Sequence, residues 1–357
     1  MAFQSAAGHG SLPNGAFSPV IYSKKTQLAF RKKTTVGDIT NNDYFGEIAN
    51  FGDSVQIMKE PEVAIQEYAR GTKLNPQDLD DEDFTLVVDK ANAFSFKVDD
   101  IEKAHSHIDF QEKATNRAAY NLADQYDMEV LGYLSGYKQS ALAQVADTAN
   151  DVVSGTKAVD TAGSDELLSS MKLKKGDFGT ITTASAGDHS IPVAARLPGA
   201  TSFPTTHVSP AVIISRMATL LDKQYVPREG RWLVLDPDFC EVLMDEDSRF
   251  LNGDWGQNGG LYDGNGPANI YGFRVYKSNN LPSVGTGAGT SGTANQNSNF
   301  GVIVAGHESA VATAEQINKV EVHPLSDSFG DRVNGLHLYG RKILKPEGIV
   351  TAKWNVV

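Results

Sequence analysis

A stripe of apolar and small residues runs through residues 98–137, where such residues recur at steps of three, four or seven. This spacing places them on one side of a single long α-helix and leaves charged residues around the rest of its circumference. Asp99 or Asp100 can cap the start of the helix, and Gly132 or Gly136 can end it. Roughly 35 residues at about 1.5 Å each span about 50 Å, so we predict a strut that lies along a sheet.

In the residues before that helix, apolar positions recur at every second residue, which predicts β-strands. Apolar and polar residues alternate through residues 54–59, 83–90 and 94–98, and residues 75–83 are acidic and rich in turn residues. The pattern predicts an extended antiparallel ribbon with the acidic segment at its tip. That segment lacks the glycine and the terminal glutamate of a calcium-binding loop. A ribbon with so few apolar residues is not stable alone in water, so we expect it to lie on a partner.

The chain after the long helix alternates between helices and strands. Residues 138–206 are rich in Ala, Thr, Ser and Gly, and we predict that they are partly irregular and lie outside the core. Ser209 and Pro210 then indicate a helix start, residues 231–237 a fully buried strand, and residues 238–250 a short helix. This alternation predicts a mixed α/β unit. The helix that starts at Ser209 and Pro210 is predicted to bury Val212, Ile213, Met217, Leu220 and Leu221.

Two further segments complete the pattern. Residues 283–298 are rich in Gly, Thr and Ser, and we predict a loop between two strands. The loop contains G-x-G-x-G, but it leads into a strand and not into a helix, which disfavours a phosphate-binding loop. Residues 331–354 predict one long alternating strand, a break at Pro346 and a last short strand.

Composition narrows the classes of function. The chain has 357 residues, 40% of them hydrophobic, which is enough for packed cores and does not fit a disordered protein. A net charge of −12 argues against a general nucleic-acid-binding surface, because phosphate binding needs concentrated lysine and arginine. Cys240 is the only cysteine, so no internal disulfide can form, which fits a reducing cytoplasm. No apolar run is long enough to span a membrane, and no secretion leader is recognisable.

No catalytic site is predicted. The sequence lacks the P-loop, nucleophile-elbow and zinc-protease motifs. His105 and His107 point to different faces of the long helix, and Cys240 is expected to be a small core residue. The acidic clusters lie in predicted surface turns, without the apolar surroundings that would raise a carboxyl pKa. We therefore predict no enzyme, no cofactor and no metal.

The order of six segments carries a family resemblance. The segments are GEIANFGDSVQI, AFSFKVDDIEKA, RAAYNLADQYD, VPREGRWLVLDPDFCEVLMDEDSRF, YGFRVYKSNNLP and the C-terminal GHESAVATAEQI…SFGDRVNGLHLYGRKILKPEGIV. Together they resemble the major capsid protein of tailed bacteriophages, which has the Hong Kong 97-type fold. The resemblance implies an α+β fold with an N-terminal arm, an extended β-hairpin loop, a peripheral domain with a long spine helix, and an axial α/β domain. The implied ranges are 1–50 for the arm, 51–98 for the loop, 99–137 and 321–345 for the peripheral domain, and 138–320 and 346–357 for the axial domain.

The resemblance also implies a structural role in the virion. Copies would assemble in the bacterial host cytoplasm as hexamers and pentamers, forming an icosahedral head around the double-stranded DNA genome. The implied partners are a scaffolding protein, a portal protein and DNA held by weak non-specific contact. The resemblance does not decide whether a decoration protein binds, and it implies no membrane partner. Asp99 is the candidate hinge for expansion of a procapsid. The candidate contacts to a neighbouring subunit are Val55, Ile57, Tyr68, Phe84 and Leu86.

Some relatives crosslink a ribbon lysine to a neighbouring asparagine. We predict that Lys59, Lys73 and Lys90 form no such crosslink, because no sequence pattern here specifies that reaction.

Two alternatives rest on single segments of the chain. A DNA-binding or DNA-organising protein would use the basic residues of a predicted N-terminal helix, which are also the candidates to face packaged DNA. These residues are Lys24, Lys25, Arg31, Lys32 and Lys33. Such a charge run is more often a solvated helix face. A hydrolase would use the acidic loops with Trp232, Trp255, Tyr262 and Tyr271, and it needs two carboxylates across a cleft.

Overall fold

The computed structural model shows a mixed chain of helices and strands, with three β-sheets among the residues that it describes. It describes residues 34–43, 54–58, 63, 65, 67–71, 73, 76–77, 83–99, 110–136, 167–179, 190–193, 207–243, 268–285, 298–325 and 329–356. The α-helices in these residues are α1 (Val36–Ile39), α2 (Phe110–Ser135), α3 (Pro210–Lys223) and α4 (Pro237–Leu243). The strands are β1 (Ser54–Met58), β2 (Asp83–Val87), β3 (Lys90–Asp99), β4 (Ser190–Val193), β5 (Arg231–Leu235), β6 (Ala268–Ile270), β7 (Phe273–Lys277), β8 (Ser283–Gly285), β9 (Ser298–His307), β10 (Val311–Pro324), β11 (Gly330–Ile343) and β12 (Ile349–Val356).

The largest sheet has the strand order β4-β12-β9-β5-β7-β6, and β8 also pairs with β9. Successive residues of its strands face two different cores. Leu233 and Leu235 of β5 pack with helices α3 and α4, whereas Trp232 and Val234 face a second core that includes the last turns of α2. All five residues of β5 are buried, which confirms the predicted buried strand and explains the apolar run from Trp232 to Leu235. The predicted break at Pro346 is also confirmed, because a 3-10 helix there separates β11 from β12.

Part of residues 138–206 belongs to the core, which corrects the prediction for that segment. Two 3-10 helices, Ser169–Met171 and Lys175–Phe178, lie in it, and strand β4 pairs in parallel with β12. These short elements have no regular period, so the sequence pattern does not reveal their burial. The buried residues are Leu167, Met171, Leu173, Ile191 and Val193.

Helix α3 begins where the sequence predicts. Ser209 is the N-cap and Pro210 lies in the first turn, although the Ser209 side chain makes no capping hydrogen bond. The prediction of the buried face is wrong for Val212, which is 49% exposed, and it omits Ile214, which is buried. The helix turns about 100° per residue, so Ile214 and not Val212 shares a face with the buried positions. Those positions are Ile213, Met217 and Leu221, while Leu220 is half-buried.

The second sheet has the order β10-β11-β3, and every pair in it is antiparallel. Helix α2 lies on this sheet, with the Tyr126 ring edge-on to His337 and Tyr339 of β11. The helix has 26 residues and therefore extends about 39 Å. The predicted strut along a sheet is confirmed, and residues 311–320 pair in this sheet as part of β10.

The start of α2 differs from the prediction. Val98 and Asp99 belong to β3, where Asp99 pairs with Gly330, and the helix is described from residue 110 onwards. Consecutive aspartates suggest a helix cap, but the alternation of β3 continues up to them. The predicted end at Gly136 is confirmed: its φ of 71° is a left-handed conformation that glycine adopts readily.

The predicted ribbon is smaller than expected. Strands β1 and β2 form a separate two-stranded sheet, in which Val55 lies opposite Leu86 and Ile57 lies opposite Phe84. Residues 94–98, predicted as a further ribbon strand, lie in β3 and pair with β11 instead. Alternation identifies a strand but not its partner, which in this case lies more than 200 residues away.

Candidate assembly surfaces

The outer part of the ribbon exposes large apolar side chains. Met58 at the end of β1 is 81% exposed, and Val63 and Ile65 beyond it are 63% and 99% exposed. Tyr68, a predicted contact residue, is 59% exposed. Water-exposed apolar clusters are typical of surfaces that another molecule covers. Sequence reasoning missed Val63 and Ile65, although their spacing of two could have identified them.

The base of the ribbon packs on its own subunit. Leu86 is fully buried in a core formed with strand β10, and Val55 and Ile57 are half-buried against the same core. The prediction that Leu86 contacts a neighbour is therefore wrong, because no part of it is accessible. For Phe84 the structure describes only the backbone, which lies opposite Ile57 in the ribbon. The remaining members of this core are Val88, Ala312, Ala314, Leu338 and Leu344.

A buried carboxylate on α2 holds the first described segment of the chain. Asp127 is 0% exposed, and its Oδ1 accepts hydrogen bonds from the backbone N–H groups of Thr35 at 2.7 Å and Val36 at 2.9 Å. Its Oδ2 accepts a hydrogen bond from Asn280 Nδ2 at 2.8 Å, and the same amide donates to Asp124 at 2.9 Å. Hydrogen bonds to a charged group are stronger than neutral ones, so this group firmly joins three separate segments.

Residues 40–42 add to the outer edge of β10. The Asn41 N–H donates to the Val311 carbonyl at 2.9 Å, and the Thr313 N–H donates to the Asn41 carbonyl at 3.1 Å. Thr313 Oγ1 also donates to Asn42 Oδ1 at 2.9 Å. Backbone pairing carries no side-chain signature, so the sequence gives no indication of this attachment. It attaches residues 40–42 to the sheet β10-β11-β3.

The seam between α2 and β11 is polar. The Tyr339 hydroxyl donates to the Glu129 carboxylate, and His337 Nε2 lies 3.3 Å from Glu315 Oε1. The guanidinium of Arg341 lies over the Tyr133 ring, 4.8 Å from its centre. Burial, and then the hydrogen bond to Glu129, raise the pKa of Tyr339, so its hydroxyl remains a donor at neutral pH. Burial likewise raises the pKa of Tyr126 to about 12.

The far half of β10 exposes two further apolar residues. Val320 and Val322 are 46% and 50% exposed, and Phe329, just before β11, is 87% exposed. Beyond the Asn41 bridge, none of the residues that the structure describes pairs with the outer edge of β10. This half of the strand is an unpaired sheet edge within the described chain, and such an edge is a template for an added strand.

The described residues that were considered for catalysis are not arranged as an active site. Burial raises the pKa of the Cys240 thiol to about 12, which leaves too little thiolate for a nucleophile. Trp232 is 1% exposed and belongs to the core, so it cannot line a substrate surface with Tyr271. Trp255 and Tyr262 lie outside the described residues. No group of metal-binding side chains occurs in the part of the chain that the structure describes.

Several other predicted features fall outside the description or remain untested. The basic cluster Lys24, Lys25, Arg31, Lys32 and Lys33, the residues His105 and His107, Lys59, and most of the acidic ribbon tip lie outside the described residues. Lys73 is exposed, and Lys90 Nζ lies 3.6 Å from the Asp89 carboxylate. The candidate hinge Asp99 ends strand β3. None of the described helices is long and apolar enough to cross a bilayer.

Comparisons with known proteins identify the family of the chain. A family model described as phage capsid protein matches residues 62–352. A chain from Mycobacterium phage Che8 is 23% identical, with a TM-score of 0.62 over 95% of this chain and 97% of that one. A capsid chain of the cyanophage P-SCSP1u is 18% identical, with a TM-score of 0.61 over 100% and 99% of the two chains. A mature capsid chain of bacteriophage PhiM1 is 14% identical, with a TM-score of 0.57 over 100% and 97%.

No curated protein sequence matches the chain. The structural matches establish the Hong Kong 97-type fold and give no support to the DNA-binding alternative. The family model spans most of the chain, including helix α2 and the strands from β2 to β11. The chain therefore belongs to the phage capsid protein family and is a structural major capsid protein of the virion.

Proposed function

We propose that the protein forms hexamers and pentamers that close into an icosahedral head around a double-stranded DNA genome. The observation that carries this proposal is the ribbon, whose base is part of its own subunit while Met58, Val63, Ile65 and Tyr68 are exposed. A free monomer would leave this apolar surface in water. In a shell the same surface is covered by an adjacent copy, and many modest contacts add up to a stable assembly.

The three sheets suggest how the subunit is divided. The seven-stranded sheet with α3 and α4 corresponds to an axial domain, and α2 with the sheet β10-β11-β3 corresponds to a peripheral domain. The ribbon β1–β2 would be the extended loop over a neighbour, and residues up to about 50 would be the N-terminal arm. On this proposal, the Asp127 carboxylate and the Asn41 bridge hold the arm at its root.

Maturation and its partners complete the proposal. A scaffolding protein would guide a procapsid and a portal would occupy one vertex, and both steps would take place in the host cytoplasm. Expansion needs two packings of similar energy, and the end of β3 at Asp99 is the proposed hinge. The cluster from Lys24 to Lys33 is the stretch proposed to face DNA, because the net charge of −12 otherwise favours weak contact with the genome. No catalytic turnover is proposed.

Assembly of the purified protein tests the proposal. The full chain is expressed without other phage proteins and examined by sedimentation velocity and negative-stain electron microscopy over a range of concentrations. We expect capsomers, tubes or closed shells. A species that remains monomeric at every concentration, also after a scaffolding protein is supplied, would contradict self-assembly.

A further inference from the structure

We propose that residues 35–42 form a strap that holds the peripheral sheet β10-β11-β3 at one angle to the seven-stranded axial sheet. The subunit then changes this angle only when the strap leaves the edge of β10. The inference rests on the proposed maturation of the shell. It adds a release step to the movement at Asp99 and names the residues that are released.

Two short crossovers connect the two sheets in the described chain. Residues 308–310 lead from β9 to β10, and residues 344–348 lead from β11 to β12. The crossovers contact each other, because the N–H groups of Leu344 and Lys345 donate to the Ala310 carbonyl at 2.8 and 3.2 Å. Both therefore meet at one place, and a change in the angle between the sheets would centre on it.

The first end of the strap lies in the core beside the axial sheet. Val36 and Ile39 of helix α1 are buried there, in the same core as Trp232 of β5. The Asp127 carboxylate on α2 also accepts the Val36 N–H at 2.9 Å. Withdrawal of this end would expose two apolar side chains and leave a buried backbone donor without its acceptor.

The second end of the strap is bonded to the edge of β10 directly after the crossover. The Asn41 N–H donates to the Val311 carbonyl, and the Thr313 N–H donates to the Asn41 carbonyl. The hydroxyl oxygens of Thr40 and Thr313 lie 3.0 Å apart, and Thr313 Oγ1 donates to Asn42 Oδ1. The contacts at this end are hydrogen bonds, whereas the first end also buries apolar side chains. The second end is therefore expected to leave first.

The strap has no slack between its two ends. Ile39 in the core and Asn41 on β10 are separated by one residue, and two residues span at most about 7 Å when fully extended. A larger displacement of β10 from the axial core must break the bonds at Asn41 or withdraw Ile39. A partner that pulls on the residues before Thr35 would thus favour release of β10.

A disulfide between the strap and β10 tests the inference in particles. Asn41 is the bridge partner of Ala312, and neighbouring strands lie about 4.8 Å apart, which a disulfide can span. Particles of the Asn41→Cys/Ala312→Cys variant are assembled with a scaffolding protein and oxidised. Electron microscopy then measures their diameter before and after mild heating. We expect oxidised particles to keep their initial diameter and to expand after reduction. Native Cys240 is buried and does not interfere.

The matched control joins two strands within the peripheral sheet. Ala93 of β3 lies opposite Leu336 of β11, so a disulfide in the Ala93→Cys/Leu336→Cys variant does not reach the axial sheet. These particles should expand whether oxidised or reduced. Expansion of oxidised Asn41→Cys/Ala312→Cys particles would overturn the inference. A block in the control variant would also overturn it, because stiffness of the sheet and not the strap would then limit the angle.

Valine substitution extends the test to particles without a disulfide. Thr40→Val keeps the shape of the side chain and removes its hydroxyl contact with Thr313, so expansion should be about tenfold faster at a given temperature. Thr219→Val is the matched control and should leave the rate unchanged, since the Thr219 hydroxyl donates to the Ser215 carbonyl on α3. Equal rates in the two variants would contradict the strap.

Failures of the wider proposal give different results. Wild-type particles that form but never expand would contradict the proposed maturation and this inference with it. A wild-type chain that never assembles would contradict the proposed function itself.

Discussion

The carboxylate of Asp127 accepts the backbone N–H of Thr35 at 2.7 Å, across 92 positions of the chain. The same side chain also accepts hydrogen bonds from the N–H of Val36 and the amide of Asn280, so one buried group on the long helix joins residues 35–36 to the segment between β7 and β8. A donor left without its acceptor in such a site costs more than the hydrogen bond itself contributes. The attachment of residues 35–36 to helix α2 therefore depends on this one residue.

Replacement of Asp127 should release the arm. We expect Asp127→Ala to lower the free energy of unfolding by about 2–4 kcal/mol, because it leaves the backbone N–H groups of Thr35 and Val36 without their acceptor and removes one hydrogen bond of the Asn280 amide. Trypsin should then cleave faster at the lysines that precede residue 34, and the digestion rate is the measurement. Asp124→Asn is the control, since Asp124 shares only the Asn280 contact among these groups. Equal digestion rates in the two variants would show that Asp127 does not hold the arm.

The close approach of the ribbon to β11 gives a second prediction. A Cβ atom at Gly340 would lie 2.4 Å from the backbone carbonyl oxygen of Val87, which cannot move without shifting strand β2. Gly340→Ala should therefore lower stability by about 1–3 kcal/mol and displace the ribbon. Denaturant unfolding measures the loss, and particle assembly measures the displacement.

Gly132→Ala is the matched control for that variant. A Cβ at Gly132 meets nothing within 4 Å, and the residue lies inside helix α2. Alanine should there stabilise the helix by up to about 1 kcal/mol. The opposite signs of the two glycine variants distinguish a steric effect from a general effect of glycine replacement. A neutral Gly340→Ala variant would mean that the ribbon base is free to shift.

Much of the fold could be predicted from the sequence, because a helix or strand that buries one face has apolar residues at regular intervals. Strand β5 is apolar from Trp232 to Leu235 since both of its faces are covered. Burial alternates in β11 from Val333 to Tyr339, since the face toward α2 is covered more fully than the other face. Strand partners leave no such period, which is why residues 94–98 were expected in the ribbon. Leu86 and Tyr68 show the same limit: both are apolar ribbon residues, but only the folded chain reveals that Leu86 lies in its own core. The Asp127 site could not be predicted from the sequence, because the Thr35 and Val36 donors are backbone N–H groups, which do not depend on the residue type.

Two tyrosines with positive φ give a third prediction. Tyr225 and Tyr271 have φ of 57° and 50°, a left-handed conformation in which a side chain meets the backbone. Tyr225 is 93% exposed, so little packing compensates for its strain, and Tyr271 is 42% exposed. Tyr225→Gly and Tyr271→Asn should each raise the free energy of unfolding by about 1 kcal/mol. The measurement is the shift in thermal midpoint, and a lower midpoint in both variants would mean that the aromatic rings make stabilising contacts.

Asp236 at the end of β5 gives a prediction about pH. Burial, and then the nearby charge of Asp238, raise the pKa of Asp236 to about 7, well above its value of about 4 in an unfolded chain. The folded state therefore binds this proton more tightly than the unfolded state. Its contribution to stability is full below pH 4, falls as the pH rises from about 4 to 7, and then stays constant. The total loss is several kcal/mol.

Asp236→Asn removes that titration while retaining the shape of the side chain. We expect urea midpoints of the variant to depend less on pH between 4 and 7 than those of the wild-type protein, with the two curves diverging as the pH rises. Asp222→Asn is an informative comparison, because hydrogen bonding to Arg231 lowers the pKa of Asp222 and gives the opposite sign. That group contributes stability above about pH 4, which is lost as the pH falls through its folded pKa. Parallel curves for wild type and Asp236→Asn would show that Asp236 titrates normally and that water or another group compensates its burial.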